Sequence, residues 1–244
     1  MRSLLKPLSA ALLLAAAAAF AAQPTIVSKP FDPAVDETAA WTDDLSLWDA
    51  EVTRTNGVLD AGTRPLESDE DVAFRFRVRH DADAMYLTVL VRDDVCWTDT
   101  CPSNAISCDA WADDSVEVFL DGNANGATNS RTPEELRYGG EFVIVANGAA
   151  QSDYSGYPKS YGTLWDGSVL RAWETDGLSY HLYRFRFPWA VMGQTERPER
   201  IGMTLSAQDD DDGGFRESAL YWVGNPKNPF SDESCFGTIV FGKE

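Results

Sequence analysis

The residues best suited to chemistry in this sequence are a tryptophan and several acids in one short stretch. Trp111 is followed by Asp113, Asp114 and Glu117 in the run C-D-A-W-A-D-D-S-V-E-V-F-L-D, which ends at Asp121. Carboxylates can catalyse proton transfer, bind metal ions or accept hydrogen bonds from hydroxyl groups. An indole ring beside them can stack on the apolar face of a ligand. This stretch is the first candidate for a functional site.

Alternation in S-V-E-V-F-L-D predicts a strand in which Glu117 faces away from the core. Val116, Val118 and Leu120 share one face of this strand, and Glu117 lies on the other. Trp111 precedes the strand, so we expect it at the rim with Glu117 below it. A pyranose can stack its C–H face on such a ring while the carboxylate accepts two of its hydroxyl groups.

A glycoside hydrolase is the enzyme alternative for the same acids. Glu117 with Asp113 or Asp114 could supply the two carboxyl groups, which this chemistry holds about 5 to 10 Å apart. Zinc-protease, serine-hydrolase and phosphate-loop motifs are absent from the sequence. We prefer a binding protein without catalytic residues, and the hydrolase stays open.

The turn D-G-N-A-N-G resembles the first half of a calcium-binding loop. Asp121, Asn123 and Asn125 place side-chain oxygens at alternate positions, which suits a hard cation. Thr132 stands at the twelfth position, where such a loop carries a bidentate Glu. We expect either a structural calcium ion or a plain Asx turn. The acidic run 209–212 is likewise expected to stay in water or to be neutralised by Arg216 or a cation.

The four cysteines predict disulfides rather than a zinc site. Cys96, Cys101 and Cys108 are close in sequence, Cys235 is near the C-terminus, and their spacing matches no zinc motif. Four cysteines allow three pairings, which the sequence leaves open. The preferred hypothesis pairs Cys235 with one cysteine of the cluster formed by the other three.

The N-terminus predicts export. Residues 1–21 combine Arg2 and Lys6 with an apolar run too short to span a bilayer, which is typical of a cleaved signal peptide. We therefore expect a secreted or periplasmic protein. A net charge of -19 disfavours nucleic acid and anionic membranes as partners.

The rest of the chain predicts a single all-β domain with little helix. Period-two segments recur between turns rich in Gly, Pro, Asn and Asp, which is typical of a two-sheet antiparallel β-sandwich, here jelly-roll-like, over residues 71–244. Residues 22–70 form an acidic arm whose Trp41 and Trp48 are expected to pack on the sandwich. One helical turn is expected from Pro188 to Gly193.

The predicted core is drawn from the apolar faces of these strands. Segments 72–79 and 85–92 should form a hairpin with one solvent-facing side, because apolar residues alternate with arginines in the first of them. The residues expected in the core are Phe74, Phe76, Leu87, Val89, Val116, Val118, Leu120 and Ile144.

Several of these segments together resemble family 9 carbohydrate-binding modules. The matching stretches are M-Y-L-T-V-L-V-R-D-D-V, W-A-D-D-S-V-E-V-F-L-D, I-G-M-T-L-S-A-Q-D-D and the closing Y-W-V-G-N-P-K-N-P-F-S-D-E-S-C-F-G-T-I-V-F. The resemblance covers about residues 31–241. It implies a β-sandwich with calcium ions and a slot in which two aromatic rings hold a terminal sugar. It also implies a link to polysaccharide catabolism and to secreted glycoside hydrolases.

Carried over by position, the resemblance assigns one ring to Trp111, the other to Phe230, and the hydroxyl acceptor to Glu117. Asn228 is a further candidate contact from the C-terminal loop. The sequence departs from the family pattern at three slot positions. Val143 and Val145 stand where Arg and Asn are usual, and Ser206 stands where Gln is usual.

A third interpretation is an extracellular haem domain, because sandwiches similar to this family can carry haem. Met85, Met203 and His181 would be its candidate axial ligands. His80 and His181 each lie in or beside a strand-like run, without a flanking metal-binding pattern.

Overall fold

The computed structural model describes residues 23–36, 44–60, 62–106, 108–154, 164–225, 228 and 231–242. This part of the chain is almost entirely β-structure, with one four-residue helix, α1, at Pro33–Asp36. It contains no helix long and apolar enough to cross a membrane. The predicted signal peptide, residues 1–21, lies outside the described residues. The strands are β1 Thr25–Pro30, β2 Ala50–Val52, β3 Val58–Asp60, β4 Val72–His80, β5 Ala84–Asp93, β6 Ser115–Asp121, β7 Gly139–Val145, β8 Ala150–Tyr154, β9 Asp166–Thr175, β10 Leu178–Pro188, β11 Arg200–Asp209, β12 Ser218–Tyr221 and β13 Gly237–Phe241.

The strands form two sheets that share β1. The first sheet has the order β8-β7-β6-β11-β13-β1, with β12 paired to the end of β11 and β3 paired to β12. The second has the order β1-β4-β5-β10-β9, with β2 on β4. Strand β1 runs parallel to both β13 and β4, and the other pairings are antiparallel. The predicted all-β sandwich is confirmed, although β1 was not expected within the acidic segment.

The core lies between the two sheets. All eight residues predicted to be buried belong to one apolar cluster, and none of them is more than 1% exposed. They alternate along their strands with residues of the opposite face, so the period-two pattern identified the inner faces. The predicted turn near Pro188 is a single 3₁₀ turn at Trp189–Met192 with Pro188 as its cap.

The predicted hairpin is β4–β5, but its expected solvent-facing side is buried. Arg75, Arg77 and Arg79 are each at most 6% exposed. The N-terminal segment lies over them and supplies counter-charges. Arg77 Nε lies 3.2 Å from Asp36 Oδ1, and Arg79 Nη1 lies 2.9 Å from Asp49 Oδ2. The prediction of a solvent-facing side for this hairpin was wrong, because the N-terminal segment that covers the side is distant from it in sequence.

Trp48 packs on the outer face of the second sheet, as expected for the N-terminal segment. It is 5% exposed and contacts a small apolar cluster that includes Leu90 and Leu182. The guanidinium carbon of Arg77 lies 5.1 Å from its ring centroid, a cation–π distance. Trp41 lies outside the described residues.

Candidate functional site

Trp111 lies in a 3₁₀ turn, Ala110–Ala112, that leads into β6. Its ring is partly exposed and stacks on Phe215, with centroids 5.6 Å apart and an interplanar angle of 28°. Phe215 is 65% exposed and belongs to the loop between β11 and β12. The indole is therefore at the surface, as predicted, and one of its faces is covered by a residue that sequence reasoning missed.

The spacing of this pair leaves no room for a sugar between the two rings. A pyranose held between two rings needs a van der Waals contact on each side, or about 7 to 8 Å between the ring planes. The observed 5.6 Å is a direct aromatic contact. Phe215 therefore covers one face of the Trp111 indole. The predicted second ring, Phe230, lies outside the described residues.

Glu117 lies in the middle of β6, on the face opposite the main core. Its neighbours across the sheet are Val143 on β7 and Ser206 on β11. The carboxyl group is only 4% exposed rather than open at the rim. It lies within a polar network, because Ser206 Oγ donates to Glu117 Oε2 at 3.4 Å and accepts from Gln208 Nε2 at 2.8 Å.

Arg216 completes this network from the β11–β12 loop. One of its amino groups donates to Gln208 Oε1, and the other lies 3.3 Å from Asp60 Oδ2 on β3. Since Arg216 directly follows Phe215, the loop places a ring on Trp111 and a cation in the Glu117 network. Tyr221, buried on β12 opposite Ser206, lies at the same network.

Burial changes the protonation of Glu117. Desolvation, followed by the nearby negative charge of Glu141, raises the pKa of Glu117 to about 8, and Arg216 opposes this shift. At neutral pH the group is therefore mostly a neutral carboxyl, which can donate one hydrogen bond as well as accept others.

Two of the positions that depart from the family pattern are buried under a loop. Val143 and Val145 are 0% exposed and pack with Ala110, Ala149 and Cys101. Their apolar side chains are explained by this cover, because a buried polar group would need a hydrogen-bond partner there. This end of the outer sheet face is therefore closed to a ligand.

The loop over these valines is closed by a disulfide between Cys101 and Cys108, with Cα atoms 5.7 Å apart. Cys96 and Cys235 are free. The preferred hypothesis, in which Cys235 pairs with one cysteine of the cluster, was wrong. Local geometry decided it, since the short loop brings two cysteines of the cluster together within the usual Cα–Cα range.

The carboxylates of Asp113 and Asp114 have structural partners. Asp113 accepts from the backbone N–H groups of Thr100 and Cys101 at 2.9 and 3.0 Å. Asp114 accepts from the N–H of Trp97 at 2.5 Å. Both acids are buried and fix the loop before β6. A hydrolase would need one of them to face a substrate, which these contacts do not favour.

The predicted calcium residues lie together at the other end of β6. Gly126 N–H donates to Asp121 Oδ2 at 2.9 Å, and the amide groups of Asn123 and Asn125 donate to Glu135 Oε2 at 3.2 and 3.0 Å. Burial, and then the charges of Asp121 and Glu135, raise the pKa of Glu233 to about 8. Among the described residues these three acids are not a group whose oxygens lie within 4.8 Å of one another, and the contacts of the loop are those of a hydrogen-bonded Asx turn.

The remaining sequence candidates have contacts within their own loop or in the core. Asn228 accepts a hydrogen bond from Ser231 Oγ at 2.5 Å within its own loop. Met85 and Met203 are 0% exposed in the main core, and His181 lies beside Tyr183 with ring centroids 6.2 Å apart. Their packing does not favour a haem pocket.

A sequence model described as "Carbohydrate family 9 binding domain-like" matches residues 42–243. The chain belongs to this family. Family membership and the β-sandwich fold therefore agree with the resemblance found in the sequence. No curated protein sequence matches the chain.

Two solved structures of the family have the same fold as this family 9 domain. Both are carbohydrate-binding modules from Caldicellulosiruptor kristjanssonii, one in complex with cellotriose and one with glucose. The first is 17% identical, with a TM-score of 0.62, and the match covers 90% of this chain and 95% of that chain. The second is 16% identical, with the same TM-score, and the match covers 90% and 96%.

Phe215, Gln208 and Arg216 are residues of the candidate site that the sequence alone did not assign to it. A signal for Phe215 exists in the sequence, because a large apolar ring stands in the turn D-D-D-D-G-G-F-R among acids and glycines. A large apolar ring in a turn of acids and glycines has no core to pack into, so the sequence indicates that the Phe215 side chain is exposed.

Proposed function

We propose that this chain is an exported carbohydrate-binding protein that stacks a terminal sugar of a polysaccharide or oligosaccharide on Trp111. In the proposed complex the sugar lies between Trp111 and Phe230, with Phe215 supporting the far face of the indole. Asn228 contributes hydrogen bonds to its hydroxyl groups, and the buried Glu117 supports the site through its polar network with Ser206.

One observation carries the proposal: consecutive residues of the β11–β12 loop join the aromatic stack to the polar network. Phe215 contacts Trp111, and the charge of Arg216 acts on Glu117. A stacking surface and a set of donors and acceptors are thereby held in one fixed arrangement, which is what a ring with many hydroxyl groups requires. Membership of a carbohydrate-binding family supports the same ligand class.

Export is part of the proposal. The Cys101–Cys108 disulfide supports it, because disulfides persist in oxidising compartments such as the periplasm or the extracellular space. We further propose that a calcium ion stabilises the loop of Asp121, Asn123 and Asn125. We also propose that the protein acts with secreted glycoside hydrolases in polysaccharide breakdown.

The test is a calorimetric titration with glucose and cellotriose, the sugars held by the structural neighbours. We expect a Kd between about 1 µM and 1 mM for the wild type, since one open polar site gives modest affinity. Trp111→Ala should abolish binding and leave the thermal midpoint nearly unchanged. Trp173→Ala is the matched control, because Trp173 is a partly exposed ring stacked on Tyr180 in the second sheet.

Two results would contradict the proposal. If Trp111→Ala still binds the sugar, Trp111 is not part of the binding site. If the thermal midpoint of Trp111→Ala falls steeply, Trp111 is a core residue. Sustained release of reducing ends from xylan or cellulose would favour the hydrolase instead.

A further inference from the structure

Trp97, in the loop between β5 and β6, is the most exposed tryptophan among the described residues. Its side chain is 43% exposed, whereas the buried tryptophans of the described chain are at most 8% exposed. Val95 is 39% exposed beside it, and Phe215 is 65% exposed on the β11–β12 loop. Large apolar side chains that are exposed together mark a surface that binds a ligand or a partner.

The Trp97 ring lies against the loop that carries Phe215. A Cβ built at Gly213 would lie 3.8 Å from Cε3 of Trp97, which is van der Waals contact. Phe215 follows two residues later on the same loop and stacks on Trp111. Each of the three rings therefore belongs to this loop or contacts it. We call Trp97, Trp111 and Phe215 the aromatic surface.

Backbone contacts hold Trp97 close to the segment that carries Trp111. The N–H of Trp97 donates to Asp114 Oδ2 at 2.5 Å, and its carbonyl accepts from the N–H of Asp114 at 3.1 Å. Asp114 comes three residues after Trp111, and three residues span at most about 11 Å. Both tryptophans are thus within reach of one short oligosaccharide.

The loop of Trp97 is also tied to the loop of Phe215 by hydrogen bonds. Gly214 N–H donates to Asp99 Oδ1 at 3.2 Å, and Thr100 Oγ1 donates to the carbonyl oxygen of Gly214 at 2.8 Å. The next residue, Cys101, forms the disulfide with Cys108. Because both loops are already fixed, a ligand that contacts the aromatic surface orders few further groups when it binds.

We propose that Trp97 is a second stacking position, on which a neighbouring unit of the oligosaccharide held at Trp111 packs its C–H face. This inference rests on the proposed sugar binding at Trp111, and it adds chain length to what the site recognises. The preferred ligand is then an oligosaccharide of at least two units rather than a single sugar.

The charge beside Trp97 favours a neutral oligosaccharide. Asp99 is exposed, and its Oδ2 lies 2.8 Å from the same Cβ position at Gly213 that contacts the indole. A carboxylate at this place can accept hydrogen bonds from sugar hydroxyl groups, whereas it repels an acidic sugar.

The experiment is a calorimetric titration of the full chain with glucose and with cellotriose. The wild type should bind cellotriose more tightly than glucose, by about five-fold, since one further aromatic contact gives a gain of that order. Trp97→Ala should remove this preference by weakening cellotriose binding, with glucose binding unchanged. Trp97→Phe keeps a flat ring and should retain most of the preference. Ile106→Ala is the matched control, because Ile106 is a 49% exposed apolar residue of the same loop.

The outcomes separate this inference from the proposed function. Equal affinity of the wild type for the two sugars, or an unchanged preference in Trp97→Ala, would overturn the second position and leave the Trp111 site intact. Loss of glucose binding in Trp97→Ala would also overturn it, because Trp97 would then belong to the first sugar position. A wild type that binds neither sugar would overturn the proposed function and this inference with it.

A second measurement needs no alanine variant. Acrylamide quenches the fluorescence of exposed indoles, and a bound sugar shields the ring on which it stacks. Saturating cellotriose should therefore protect the wild-type fluorescence more than saturating glucose does, because it covers Trp97 in addition to Trp111. Trp97→Phe should show no difference between the two sugars. Equal protection of the wild type by both sugars would contradict the inference.

Discussion

Phe215 stacks on Trp111 at a centroid distance of 5.6 Å, and this contact joins the turn before β6 to the loop after β11. The two residues come from separate segments of the chain, and their stack is the aromatic feature on which sugar binding is proposed to depend.

Phe215→Ala should weaken cellotriose binding by a few-fold without abolishing it. The substitution removes the support behind Trp111, while the indole face that we assign to the sugar is retained. The thermal midpoint should hardly change, because Phe215 is 65% exposed. Calorimetric titration measures the change in Kd, with Trp173→Ala as the control. Tighter binding in Phe215→Ala would instead place the sugar on the indole face that Phe215 covers.

Glu117→Gln should change how stability depends on pH. The pKa of Glu117 is raised to about 8 in the folded state, mainly by burial, so the native protein keeps a proton that the unfolded chain releases near pH 4.5. The contribution of this carboxyl group to the free energy of unfolding is fully present below pH 4.5. It is lost as the pH rises towards 8, by less than about 1.4 kcal/mol per pH unit. Glu141 faces the same network and has a pKa raised by burial, whereas Arg216 favours the charged form.

Urea unfolding at pH 5, 7 and 9 measures this effect. Glutamine resembles the protonated carboxyl, so the variant should lose less stability than the wild type between pH 5 and pH 9. Glu174→Gln, which changes an exposed acid on β9, is the control and should keep the wild-type dependence. Parallel curves for Glu117→Gln and wild type would show that the Glu117 carboxyl titrates as an exposed group does.

The double variant Cys101→Ser/Cys108→Ser should lower the free energy of unfolding by about 2 kcal/mol, because the crosslink restricts the unfolded chain over a short loop. The same loop covers Val143 and Val145. Urea unfolding measures the loss, and Cys235→Ser is the control because Cys235 is a free thiol. The denatured wild type should react with two equivalents of a thiol reagent, one each at Cys96 and Cys235. Four reactive thiols would contradict the disulfide.

Asp36→Asn should destabilise the protein by about 3 to 5 kcal/mol, because it leaves buried guanidinium groups without their counter-charge. Asp36 and Arg77 are each 1% exposed, and Arg79 Nε also lies 3.2 Å from Asp36 Oδ1. Chemical unfolding measures the loss. Glu67→Gln, which removes an exposed ion pair with Arg64, should leave stability unchanged. An effect of Asp36→Asn no larger than that of Glu67→Gln would show that the N-terminal segment contributes little to folding.

The fold and half of the aromatic site could be predicted from local patterns. Strand β6 has the predicted bounds, and Trp111 lies at the surface before β6 as expected. Phe215 and Arg216 escaped prediction because nothing local links the β11–β12 loop to Trp111. The burial of Glu117 escaped it for the same reason, since strand alternation gives the face of a residue but not what covers that face.

The sequence by itself determined the all-β class, the inner faces of the strands and the carbohydrate-binding family, because side-chain alternation and short motifs are properties of neighbouring residues. Only the tertiary structure decided the cover over the β4 arginines, the pairing of Cys101 with Cys108 and the ring that contacts Trp111. Each of these depends on contacts between distant segments, and packing against the whole sandwich selects such contacts.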